Sequence, residues 1–300
     1  MSAPAFDLST MPPSVRLGPG SGGLPRLTID GRMATAEIYL HGAHVTRWQP
    51  RHATQPVLWM SSHSMFEPAK PIRGGVPVCF PWFGPNREHP GAPAHGFARL
   101  ADWALEAVTE TGDGSVSVVL TLAGENLSPA WPFRFRATMR VSVGATLSME
   151  LDVENQDQAA FAFEAALHTY LTVADVARVE IRGLEETAYI DKAGGVAQRR
   201  QGAEAIRFAG ETDRVYLATA AACTVDDPGM NRRIVVAKQG SLSTVVWNPW
   251  AAKAQAMPDF GDDEWPGMVC VETANVGDAA VQLTPGGRHR MLAIVSVESH

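Results

Sequence analysis

Residues 133–155 read FRFRATMRVSVGATLSMELDVEN. In the first half the phenylalanines, Phe133 and Phe135, fall on one side of an extended chain. The arginines, Arg134, Arg136 and Arg140, fall on the other. A period of two marks a strand with one buried face. Ser142 to Thr146, SVGAT, looks like a hairpin connection into the strand-length run TLSMELDVEN. Similar runs recur from about Leu27 onward: AEIYL, HVTRW, SVSVVLTL, RIVVAK, STVVW, MVCVET and RMLAIVSV. They are rich in Val, Ile and Thr, which suit a pleated surface. Gly, Pro, Asp and Asn break them, as at Thr111 to Gly114, TGDG. Strand after strand with few helical patterns implies an all-β chain, an antiparallel sandwich or barrel. Short helices are expected only near residues 61–65 and 249–256. The start, MSAPAFDLSTMPPSVRLGPGSGG, reads as a flexible leader over residues 1–25, followed by a single domain over 26–300.

The chain has 300 residues, 45% of them hydrophobic, enough for a substantial core. A net charge of −7 opposes nucleic acid or an acidic membrane as partner, because both are polyanions. It leaves room for a local basic pocket. Cys79, Cys223 and Cys270 are odd in number and form no C-x-x-C pair, so a reducing compartment, the cytoplasm, is expected. No stretch nears the roughly eighteen apolar residues of a membrane helix, and the N-terminus lacks the pattern of a secretory signal.

Four segments depart from plain alternation. KPIRGGVPVCFPWFGP, residues 70–85, places Arg73 before a Gly–Gly pair in a proline-rich loop. Such a loop cannot be a regular central strand, and a charged fork on it suits an anion or a sugar. AHGFAR, residues 94–99, puts His95, Phe97 and Arg99 on one face if extended. FAFEAALHTYL, residues 161–171, reads as a strand with Glu164, Ala166, His168 and Tyr170 on one side. Imidazole exchanges protons near neutrality, which makes His168 a general-acid candidate. VCVETAN, residues 269–275, places Glu272 between the small residues Cys270 and Ala274 on one face. Taken alone, Arg73, His168 and Glu272 each read more readily as a structural or solvated side chain than as a site residue. His41 and His44 lack a third ligand at metal spacing, and no Walker loop, dinucleotide fingerprint or nucleophile elbow is present. The charged stretch Asp259 to Glu264 reads as a solvated loop.

IRGGVPVCFPWFGP, HGFAR, LHTYL, ETDRVY, VVWNP and VCVETAN occur together and in this order. In this they resemble the hexose-6-phosphate mutarotase (glucose-6-phosphate 1-epimerase) family of the galactose mutarotase-like superfamily. The resemblance implies a large antiparallel β-supersandwich and an isomerase that interconverts α and β anomers of a hexose 6-phosphate. It implies His168 as general acid and Glu272 as general base. Arg73 and Arg99 would bind phosphate, and His95 and Asp213 would bind hydroxyls. Some members carry Gln where Ala94 stands here, where it helps hold the phosphate. Action on unphosphorylated sugars, and a non-catalytic sugar-binding role, therefore remain alternatives. No cofactor or metal is expected, the partner is a small sugar phosphate, and the chain is expected to be a monomer.

Such a reaction needs one base for the anomeric hydroxyl and one acid for the ring oxygen. Reference values of roughly 4.3 for Glu and 6.5 for His would put the Glu⁻/HisH⁺ window on the acid side of neutral. A carboxylate nearby, Glu164 or Glu272 itself, is expected to raise His168 and widen that window.

Overall fold

A computed structural model describes residues 6–299. Phe135–Val143 and Leu147–Asn155 form the expected hairpin, paired from Phe135–Asn155 to Val143–Leu147. Phe135, Ala137, Met139, Val141 and Val143 are buried, as are Leu147, Met149, Leu151 and Val153 across from them. On the opposite face Arg140 lies directly across from Glu150 and donates to it at 2.9 Å. Alternation in sequence thus becomes an apolar side and a charged side.

This hairpin sits within an eight-stranded antiparallel sheet. Its strand order is Glu180–Arg182, Cys223–Asp227, Arg232–Gln239, Arg288–Ser299, Leu147–Asn155, Phe135–Val143, Val116–Gly124 and Ala104–Glu110. The strand Arg288–Ser299 joins the hairpins of residues 104–155 to the later strands, pairing with Leu147–Asn155 on one edge and Arg232–Gln239 on the other.

A second eight-stranded sheet is built from shorter pieces. It runs Ala197–Arg200, Ala188–Asp191, Thr212–Tyr216, Ser243–Asn248, Met268–Asn275, Ala165–Leu167 and Val78–Cys79, with Tyr170–Thr172 also paired to Met268–Asn275. One hydrophobic cluster joins Val118, Leu120, Met139 and Met149 of the first sheet to Val246, Leu167, Val269 and Val271 of the second. The two sheets therefore share a core, as in a β-sandwich. The far face of the second sheet carries another cluster, with Cys79, Ala166, Tyr170, Trp247, Cys270 and Ala274. Its central strands are buried on both faces, so they cannot show a simple apolar–polar alternation.

A four-stranded sheet of Val15–Pro19, Pro25–Asp30, Ala34–Tyr39 and His44–Pro50 adds to the core. The flexible leader expected over residues 1–25 is thereby corrected from Val15 onward. Val15–Pro19 pairs along its length with Pro25–Asp30, and Val15 and Leu24 are buried. Burial of these two side chains offsets the Pro and Gly content that suggested a loose segment. Residues 1–5 of that expected leader lie outside the described residues. Of the two expected helices, Trp250–Gln255 forms, whereas residues 61–65 do not. There Ser61 instead accepts hydrogen bonds on Oγ from the backbone N–H of His63 and Gly261. No helix among the described residues is long and apolar enough to cross a membrane.

Candidate active site

Glu272 stands mid-way along Met268–Asn275, opposite Val245 of the neighbouring strand, and is 1% exposed. Cys270 and Ala274 flank it on the same face and are themselves fully buried. His168 sits at a break. The segment read as one strand is three short ones, Phe161–Phe163, Ala165–Leu167 and Tyr170–Thr172. The interruptions arise where the backbone N–H of Glu164 donates to Pro81 O at 2.8 Å and that of His168 to Pro77 O at 3.0 Å. Prolines lack an N–H, so this loop accepts from the strand without returning a regular ladder. The side assignment nonetheless holds for His168 and Tyr170, whose rings stack at 4.6 Å and 9°. His168 Nδ1 lies 3.4 Å from Glu272 Oε1. Among the described residues, His168 Nδ1 and Glu272 Oε2 are buried with no hydrogen-bond partner. Buried polar atoms left unpaired are costly and uncommon.

The Gly74–Gly75 pair lets the Arg73 loop press on its neighbours. A Cβ on Gly74 would lie 2.5 Å from Trp59 O, and one on Gly75 2.3 Å from Val45 O. Both residues also have positive φ, 109° and 58°. The Arg73 guanidinium is held on two sides. Nε and Nη2 donate to Asp259 at 3.2 and 3.1 Å, and Nη1 donates to Tyr170 Oη at 2.9 Å. Arg99 differs. Its Nη2 donates to Ala94 O at 2.8 Å, while its buried Nε has no partner among the described residues. Burial pulls this guanidinium below its ordinary value. His95, with φ of 63°, accepts the Gly84 N–H on Nδ1 at 3.3 Å. Burial, then Arg99 and Arg73, pushes His95 down to about 3. A neutral ring that accepts on Nδ1 carries its proton on Nε2.

A cavity of about 330 Å³ gathers all six predicted residues: Arg73, His95, Arg99, His168, Asp213 and Glu272. That is within the roughly 300–1,000 Å³ of small-molecule sites. Asp213 reaches it from Thr212–Tyr216, opposite Trp247, and burial raises its carboxyl. Phe83, Ala94 and Trp247 also line the space.

Two lysines in this cavity were missed from sequence. Lys192 follows the strand Ala188–Asp191 and lies 5.0 Å from the Phe83 ring. Lys253 belongs to the short helix and pairs with Glu211 at 2.7 Å. Asp259 was read as part of a solvated loop. It is only 8% exposed and holds Arg73, a partner 186 residues away. No local pattern could reveal a contact of that separation.

The electrostatics overturn one expectation. His168 is not raised but pushed well below its ordinary value, first by burial and then by His95, Arg73 and Arg99. Glu164 does not serve it, because its carboxylate accepts from the Phe83 and Gly277 N–H groups at 2.8 and 2.7 Å. Glu272 is pushed well above its ordinary value, first by burial and then by Asp213. In both residues burial works against the charged form.

The sequence matches the family described as Aldose 1-epimerase over residues 25–294. The chain belongs to the aldose 1-epimerase family. Relatives within it include a "Putative glucose-6-phosphate 1-epimerase" of Cenchrus ciliaris, 36% identical over 289 residues, covering 92% of this chain and 86% of the relative. A relative of the same name in Escherichia coli K12 is 38% identical over 251 residues, covering 84% of this chain and 83% of its own. The crystal structure of YeaD from Salmonella typhimurium aligns with a TM-score of 0.88 at 34% identity, covering 99% of this chain and 97% of that one. The galactose mutarotase related enzyme of Lactobacillus acidophilus, at 15% identity and a TM-score of 0.72, shares the fold, over 91% of this chain and 97% of that one. This aldose 1-epimerase family member thus has the antiparallel galactose mutarotase-like architecture.

Proposed function

We propose that this protein interconverts the α and β anomers of a hexose 6-phosphate, most simply glucose 6-phosphate. The observation that carries the reading is the His168–Glu272 pair, 3.4 Å apart, in a cavity whose wall includes the underpaired Arg99. Glu272 takes the proton of the anomeric hydroxyl while His168 gives one to the ring oxygen. The ring C–O bond breaks and the aldehyde C=O forms. Rotation about C1–C2 and closure on the other face return both protons. In the open-chain complex the carboxyl is protonated and the imidazole neutral, the direction in which burial shifts both groups. The pair gains and loses protons as a unit, so its pH limits belong to both residues together.

Arg73 and Arg99 suit the phosphate through charge-assisted hydrogen bonds. A dianion between them offsets part of the field they place on His168 and so favours its acidic form when substrate is bound. His95 Nε2 and Asp213 suit sugar hydroxyls. The three cysteines are free and buried, which fits the cytoplasm.

A second reading, action on unphosphorylated aldoses, is favoured by two observations. Asp259 already occupies Nε and Nη2 of Arg73, and Ala94 supplies only its carbonyl, to Arg99. NMR exchange of the anomeric protons, run with glucose 6-phosphate and with glucose at equal concentration, decides between them. Acceleration of the phosphate ester is the expected result. Acceleration of glucose alone assigns the second reading. Acceleration of neither by folded protein removes the catalytic roles of His168 and Glu272.

A further inference from the structure

The turn His41–His44 has no part in the chemistry above, yet it touches both arginine segments. Gly42 N–H donates to Ala101 O at 2.7 Å, and Trp103 N–H donates to Leu40 O at 2.9 Å. A Cβ on Gly42, whose φ is 73°, would lie 2.9 Å from Arg99 O and 3.2 Å from Arg99 Cα. On the other side His44 Nε2 lies 2.8 Å from Gly74 O, next to Arg73. A Cβ on Gly75 would come within 2.9 Å of the same nitrogen. Val76 N–H donates to Val45 O at 2.9 Å, and His41 Nε2 lies 2.8 Å from Lys70 O.

We propose that the turn His41–His44 is the spacer that sets the separation of Arg73 and Arg99, with His44 positioning Arg73 and Gly42 positioning Arg99. It thereby determines how well the site holds a phosphate monoester. This inference rests on the reading of the two arginines as the phosphate-binding pair. Two guanidiniums repel, so their shared hold on one anion requires backbones fixed against that repulsion. Of the two arginines Asp259 restrains Arg73, and among the described residues Arg99 has a single side-chain hydrogen bond, to Ala94 O. The backbone of Arg99 is instead fixed against Gly42, and that of Gly74 against His44.

The imidazole of His44 fits this role. It is fully buried, and burial holds it down to about 3, so it stays neutral. A carbonyl only accepts, so its one N–H is on Nε2, directed at Gly74 O. Nδ1 has no partner among the described residues. An apolar side chain would avoid that unpaired nitrogen, so the bond to Gly74 is what the histidine adds.

The test compares wild type with His44→Leu, His44→Gln and Gly42→Ala in saturable NMR exchange of glucose 6-phosphate. Arg73→Ala and Arg99→Ala are run alongside. His44→Leu and Gly42→Ala are expected to raise KM by about tenfold with kcat unchanged. His44→Gln, which keeps an N–H of similar reach, is expected to restore most of the affinity. Gly42→Ala acts from the opposite side of the turn and gives the same reading if His44→Leu fails to fold. An unchanged KM, or a fall in kcat in step with melting temperature, overturns the spacer role. If the arginine variants raise KM and the turn variants do not, the spacer alone falls. If the arginine variants also leave KM unchanged, the phosphate reading falls and the spacer with it.

Discussion

The two eight-stranded sheets obey different rules. In Leu147–Asn155 every second residue points into the core, and the others meet water or a cross-strand charge. In Met268–Asn275 all eight residues are buried, and in Ser243–Asn248 all six. The first sheet has one face to satisfy. The second packs on the core with one face and builds the cavity with the other. There polar groups such as Glu272 and His168 sit among apolar neighbours without full hydrogen bonding. The regular sheet carries the alternating core, and the candidate site lies on the one whose strands are shorter and interrupted.

Substitutions can break or sharpen this contrast. The largest effect belongs to Glu272→Gln, which is expected to lower kcat by about 10²–10⁴-fold in the exchange assay. It should also raise the melting temperature at pH 8. Burial raises the Glu272 carboxyl, so its protonated form suits the folded state and stability falls as pH rises through the folded value. An uncharged amide removes that loss. A variant both inactive and no more stable at pH 8 would contradict the idea that this strand trades stability for chemistry.

Met149→Ala, in the regular sheet, should do the opposite. Met149 is fully buried, and its truncation is expected to destabilise by about 2–5 kcal/mol. Chemical denaturation measures this, with KM and kcat at a folded temperature unchanged. A substantial rise in KM would show the sheets to be coupled. The smallest effect is expected at the outer face: Arg140→Ala removes a half-exposed pair with Glu150 and should cost under about 1 kcal/mol in the same titration.

This contrast also explains what was readable in the sequence. Period two was visible wherever one face meets water, and it fixed the antiparallel class from residues such as Phe135 to Val143. The six candidate site residues follow from the resemblance of short motifs, while local pattern alone leaves each of them ambiguous. Lys192, Lys253 and the Asp259–Arg73 bond were invisible, because cavity walls are assembled from segments far apart in the chain. The direction of the His168 shift was misread for a related reason. From sequence a carboxylate nearby implies a raised histidine. In the fold, burial, His95 and two arginines push it down instead. The strand Val15–Pro19 was hidden by its Pro and Gly, whose propensity is overridden by pairing.

The position of Arg288–Ser299 bears on how the protein is made. Its neighbour Leu147–Asn155 leaves the ribosome early, and residues 156–287 are synthesised before the partner strand exists. Until then the hairpins of residues 104–155 present an open edge with an apolar face, the kind of surface that recruits other chains. Pairings of such separation close slowly. That edge is closed when Arg288–Ser299 pairs between the two halves of the sheet.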